Sequence, residues 1–214
     1  VYKQLKSMNF TFNLIHASWI PILDHDGTTR LVSLHEAFSR AAEIRDFACG
    51  PAERISLLRL LICIAQASQP APPRDNSPEW KDFAENLTPS ALAYLGREDI
   101  HAGFELLGNG PRFLQIATAK AGTMASSKLF LHLASGGNPT HFDHAGGESR
   151  PMPHPDLALA LLTFQNFSPL LGRGFTGRGL CVESNAAHIF QSAGTLAETI
   201  IANCLSLDAI QTIC

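Results

Sequence analysis

Two stretches of the chain hold side chains whose types and spacing suit chemistry. In residues 169–179, Gly172, Gly174, Gly177 and Gly179 are interleaved with Arg173 and Arg178. Glycine lets backbone N–H groups come close to a phosphate or a base edge, and arginine offers a planar fork of donors. The pattern suits a grip on nucleic acid or a nucleotide, and it equally suits a flexible surface hairpin. No Gly-Lys-Ser/Thr follows, so it is not a Walker A loop, and no strand-turn-helix unit with a downstream ribose acid marks a dinucleotide site. The second stretch is His141, Phe142, Asp143 and His144, with His132 and His154 nearby. Imidazole and carboxylate ligate zinc, but His141, Asp143 and His144 are too close along the chain to chelate together unless the loop curls, and no cysteine joins them. A solvated set of loop histidines is the simpler reading, and a metal-dependent hydrolase is its alternative. The sequence has no G-x-S-x-G elbow, H-E-x-x-H helix or clear paired-carboxylate motif. Enzyme activity therefore has no positive support, and no cofactor is expected.

Composition bounds what surrounds these stretches. The chain has 214 residues, 45% of them hydrophobic, and a formal net charge of −3. Mean hydropathy is +0.06 and the pI is about 6.3. A chain this long removes about 70% of its unfolded surface from water and needs no disulfide or metal staple. A free-standing nucleic-acid binder shows a basic balance, which is absent here, so contact with DNA would use a local patch, with partners supplying most of the attraction. The 5 cysteines are Cys49, Cys63, Cys181, Cys204 and Cys214, with no C-x-x-C spacing. Cys63 sits in an apolar run and is expected in the core; the set points to a reducing cytoplasm. Residues 1–12 include Lys3 and Lys6 but no continuous apolar stretch, so no signal peptide is read there. The longest apolar run, residues 57–65, is interrupted by Arg59 and is far shorter than the roughly 20 residues of a membrane span.

The elements that must position the two stretches follow from periodicity and breakers. Extended apolar segments at residues 12–23 and 30–33 flank Asp26-Gly27, a hairpin signal. Ser33 and Glu36 form a capping box that opens a short helix to about Ala42. Pro51 begins a second helix, apolar nearly all round, that ends before Ser68 and belongs in a core. Prolines between residues 68 and 78 predict an extended linker. Short helices should then start at Ser77-Pro78 and Thr88-Pro89, carrying Trp80, Phe83, Leu92 and Leu95 inward. Residues 110–115 read as a turn into a strand, residues 128–133 as a strand, and residues 135–155 as a loop long enough to be functional or mobile. A helix over residues 156–167, the glycine stretch, a strand over 186–190 and a last helix over 195–207 complete the chain. The fold class is α+β: a mixed globular domain with short β-hairpins or sheet, several helices and two long Gly/Pro-rich loops.

Read in order, several segments resemble the CasA family, the large subunit of type I-E CRISPR Cascade complexes. They are residues 12–22 with Trp19-Ile20-Pro21, the apolar helix at residues 57–67, and the step Pro111-Arg112-Phe113-Leu114-Gln115. The loop from Gly136 through Asn138, Phe142 and Asp143 to His144, residues 159–167 with the glycine stretch, and residues 195–207 follow in family order. The resemblance covers nearly the whole chain. It implies an N-terminal α+β domain over residues 1–214, incomplete because the family's C-terminal helical bundle is absent.

The resemblance also implies a role. The protein would be a non-catalytic subunit that helps inspect double-stranded DNA for a protospacer-adjacent motif, load the target strand and recruit an effector helicase-nuclease. Other Cascade subunits, crRNA and target double-stranded DNA would be its partners in the cytoplasm, with no membrane involved. Leu170, Leu171, Gly172, Arg173, Gly174 and Arg178 occupy the stretch that in the family approaches the minor groove of the motif. The Leu170-Leu171 pair and the charged Arg173 depart from the family's glycine-richest members. Phe130 matches the aromatic that begins the family's docking loop, and Asn138, His141, Phe142, Asp143 and His144 fall within that loop, near the crRNA 5′ end. A purely structural scaffold without DNA contact is a further alternative.

Overall fold

The computed structural model describes residues 11–108, 110–115, 129–130, 151–167 and 188–213. Its sheet has three strands in the order β2-β1-β3. Strands β1 (Ile20–Asp24) and β2 (Thr29–Val32) form the expected hairpin, in register from Ile20 opposite Val32 to Leu23 opposite Thr29. Its turn closes through the Asp24 N–H donating to the Thr28 carbonyl at 2.9 Å, and Gly27 takes φ +85°, where a side chain would be strained. Strand β3 (Ile44–Phe47) pairs antiparallel on the other side of β1. Pro21 is tolerated in the central strand because it lies beyond the end of β3, where the Ala48 N–H donates to its carbonyl at 3.0 Å. Trp19, 1% exposed, leads into β1 with its indole N–H donating to the Leu14 carbonyl at 2.9 Å.

Helices cover this sheet and build the core. Helix α1 (Leu34–Ser39) starts on the Ser33–Glu36 capping box that the sequence announces. Helix α2 (Pro51–Ala67) buries Leu57, Leu58, Leu61, Ile62, Ile64 and Ala65. Three helices pack against it: α4 (Leu87–Leu95), α6 (His154–Phe167) and α7 (Leu196–Ala202). Helix α3 (Trp80–Glu85) seats Phe83, and the short α5 (Glu98–Gly103) follows α4. The Thr88 hydroxyl of α4 donates to the Phe38 carbonyl at 3.1 Å, which ties α4 to α1. Residues 12–14 run beside residues 104–106, with Leu14 N–H to Phe104 O at 3.0 Å and Leu106 N–H to Phe12 O at 2.9 Å. Phe113 then stacks on Phe104 at 5.6 Å and meets Trp19 at 6.3 Å.

Several expectations are corrected. Strand β3 and helix α5 were not foreseen; each is too short to show a period. The last helix expected over residues 195–207 ends early, as α7, and a further helix, α8 (Leu207–Ile213), begins where it was expected to stop, because polar groups compete for the backbone between them. The Asn203 amide donates to the Thr199 and Gln191 carbonyls, and the Ser206 hydroxyl accepts from the Ala209 N–H. The proline segment is no free linker: Leu207 N–H donates to Pro73 O at 3.0 Å, and Arg74 pairs with Asp208 at 2.7 Å. Trp80 is half-buried, with its indole N–H on the Arg74 carbonyl, and Leu92 is likewise half-buried. Cys63 is exposed, since it lies on the narrow strip of α2 that faces solvent. Leu129 and Phe130 are not in a strand, and neither are His188, Ile189 and Phe190. The remainder of those two expected strands lies outside the described residues.

This packing makes two substitutions informative. Ser33→Ala removes the acceptor of the Glu36 N–H and should cost about 1 kcal/mol in urea unfolding. The Ser33 N–H, against some opposing burial, holds the Glu36 carboxyl below the usual glutamate range. Its stabilisation is therefore complete above the unfolded-state value and is lost as pH falls through the lowered one. Glu36→Gln should flatten that acid-side slope, and an unchanged slope would remove Glu36 from the account. In α6, Asn166 is 2% exposed; its amide donates to Leu162 O at 2.8 Å, while Oδ1 is buried with no partner among the described residues. Asn166→Leu should cost less than about 1 kcal/mol, or stabilise, because no satisfied acceptor is lost. Thermal unfolding checks this, and a severe loss would mean that Oδ1 is in fact engaged.

Candidate functional site

Most residues singled out for function lie outside the described part of the chain. These are Leu170, Leu171, Gly172, Arg173, Gly174 and Arg178 of the glycine stretch, and Asn138, His141, Phe142, Asp143 and His144 of the loop. Phe130 is described, and so is the frame from which both stretches depart and to which they return.

That frame is helix α6. Its apolar and small side chains, Ala158, Ala160 and Leu162, are buried, and Thr163 turns its hydroxyl back onto the Leu159 carbonyl at 2.8 Å. The helix is thereby fixed along α2, with 14 residues that span about 20 Å at the α-helical rise. The histidine-bearing loop returns to the described chain just before its N-terminal end, and the glycine stretch departs from its C-terminal end. At the first end His154 meets the Phe12 ring edge-on at 5.1 Å. At the second end Phe167 meets His188 at 5.4 Å, edge to face, and His188 stacks on Phe190 at 6.4 Å. The chain thus leaves at Phe167 and returns at His188 within one ring contact. Sequence reading missed this clasp, although the aromatic residues bracketing the glycines were its visible sign.

Phe130 is half-buried beside the N-terminus of α2. It lines an open, mainly apolar cleft of about 200 Å³ with Leu129, residues 50–53 and the α6 side chains Ala160 and Thr163. The carboxylate there, Glu53, already accepts from the Gly50 N–H at 2.9 Å. Burial, then the Glu53 and Asp46 carboxylates, push the neighbouring Cys49 thiol up to about 12, so it is protonated at neutral pH and a weak nucleophile there. The cleft can seat an apolar side chain; it offers no acid–base pair.

Electrostatics elsewhere point the same way. Arg30, Arg40, Arg54, Arg74 and Arg97 are each paired with a carboxylate. Three histidines not grouped by sequence, His16, His35 and His101, do come together, with ring centroids 6.2 Å and 5.5 Å from His16. Among the described residues, however, no three His, Cys, Asp or Glu side chains are placed to hold a metal ion.

Comparison with known proteins gives a consistent result. CRISPR-associated protein CasA/Cse1 of Thermus thermophilus is 34% identical over 200 residues, covering 90% of this chain and 39% of that relative. The crystal structure of Thermobifida fusca Cse1 superposes with a TM-score of 0.71 at 25% identity, over 92% of this chain and 40% of that one. A chain of a CRISPR RNA-guided surveillance complex shares the fold at 18% identity and a TM-score of 0.65, over 91% of this chain and 43% of that one. The chain spans about two fifths of the length of these relatives. The model of the CRISPR-associated protein Cse1 family matches residues 13–212, and with the 34% identity it shows that this chain belongs to that family.

Proposed function

We propose that this chain is the N-terminal part of the large subunit of a Cascade complex, acting in the cytoplasm as a non-catalytic reader of a protospacer-adjacent motif on double-stranded DNA. The carrying observation is the family match over residues 13–212, extending across both candidate stretches. The surveillance-complex chain that shares the fold supports an assembly with other Cascade subunits and crRNA. In that setting the subunit takes part in loading the target strand and recruiting the effector helicase-nuclease. No helix among the described residues is long and apolar enough to cross a membrane.

The physical logic is a division of labour. Guide pairing reads the target while protein reads a short motif. The minor groove offers few distinguishing donors and acceptors, so a backbone reader placed there tolerates more than one motif. Glycines at 172 and 174 let the main chain approach the groove floor, and Arg173 and Arg178 add phosphate contacts. With the five arginines above already paired and a net charge of −3, the rest of the attraction falls to neighbouring subunits. Phe130, beside the α2 N-terminus, anchors the start of the docking loop.

Two measurements on the assembled complex test this reading. Arg173→Ala should weaken target binding and make the slope of log affinity against log salt shallower by about one. Unchanged affinity and slope would count against a phosphate contact. Phe130→Ala should lower retention of this subunit by the crRNA-bound remainder in size-exclusion chromatography, and full retention would exclude the docking role.

A further inference from the structure

Two thiols lie where α2 meets the turn between α7 and α8. Cys63 is exposed on α2, and Cys204 is half-buried in the turn between α7 and α8. One helical turn after Cys63, the Gln66 amide clamps the residue after Cys204: its Nε2 donates to the Leu205 carbonyl at 3.1 Å, and its Oε1 accepts from the Leu205 N–H at 3.3 Å. Residues three apart share a helix face, so Cys63 lies on α2 one turn before the clamp and Cys204 directly before the residue it holds, near enough for the Cys63 charge to act on the Cys204 thiol. Helices α2 and α7 pack together directly, which keeps the junction closed.

We propose that Cys63 and Cys204 are an oxidation-sensitive pair that closes into a disulfide, tying α2 to the turn between α7 and α8. Burial, and then the charge of a Cys63 thiolate, raise the Cys204 thiol to about 12, which sets the order of events. The exposed Cys63 thiolate attacks a sulfur of a small disulfide oxidant such as oxidised glutathione, forming a mixed disulfide and releasing one glutathione thiolate. The small fraction of Cys204 that loses its proton to solvent attacks the Cys63 sulfur and releases the second glutathione, so closure is slow at neutral pH and quickens as pH rises. Two protein thiols are oxidised and one glutathione disulfide is reduced to two thiols. Closure would join residues roughly 140 apart in sequence, a separation at which a cross-link strongly restricts the unfolded chain. This pairing is independent of the DNA-reading role.

The test is peptide mapping of the full chain, reduced and then treated with oxidised glutathione under native conditions. The expected product has lost two hydrogens, and its non-reduced digest contains a peptide joining residues 63 and 204. Cys49→Ser should leave that peptide in place, and Cys63→Ser should abolish it. Should a variant fail to fold, the map of the unsubstituted chain decides alone. Glutathione retained on Cys63 without closure, a cross-link through Cys49, Cys181 or Cys214, a link between two copies, or no oxidation at all would each overturn the pairing.

Discussion

Nearly all of this architecture depends on the burial of one helix. Helix α2 has apolar side chains on most of its circumference, and α4, α6 and α7 each satisfy part of that requirement. At about 25 cal/mol per Å² of apolar surface removed from water, a fully buried leucine contributes roughly 1.5–3 kcal/mol. Leu57, Leu58, Leu61, Ile62 and Ile64 together therefore dominate over the surface ion pairs, each of which contributes about 1 kcal/mol or less. The three-stranded sheet closes the same core from the side of Trp19, Ile20 and Ile22. The placement of α4, α6 and α7 follows from which sector of α2 each covers, and α1, α3 and α5 in turn pack on α4.

Helix α6 converts that packing into a functional frame. It is held by α2 along one face, so its two ends are fixed points, and the two loops that resemble family contact regions begin or end there. Binding loops on a rigid scaffold are the usual division between stability and recognition. The aromatic contacts at those ends, Phe12 with His154 and Phe167 with His188, are packing contacts of the scaffold.

What the sequence made legible was the chemistry of chain reversal and of helix starts. Asp26-Gly27, Ser33 with Glu36, and Pro51 each encode a local geometry that tertiary packing does not override, and each appears where expected. The length and apolarity of α2 were equally plain. Elements of four to six residues left no periodic trace, which is why β3 and α5 went unread. Cys63 was misplaced because an apolar run does not say which few positions face water. The early end of α7 was hidden because Asn203 and Ser206 act through hydrogen bonds to the backbone, within the apolar run over 195–207 that reads as helix, and α8 beyond it went unread. For the candidate site, residue types suggested a nucleic-acid grip and order along the chain suggested the family. Neither revealed that one helix carries both stretches, since Phe12, Phe167 and His188 are distant in sequence and meet only after folding.

The clasp of Phe167 on His188 has a consequence for how such a scaffold can diversify. With the two stems already touching, lengthening the intervening segment adds only the slowly growing entropy of a larger ring, roughly 0.6 kcal/mol per doubling. The length of the chain between Phe167 and His188 is therefore a weak constraint on where its two stems sit.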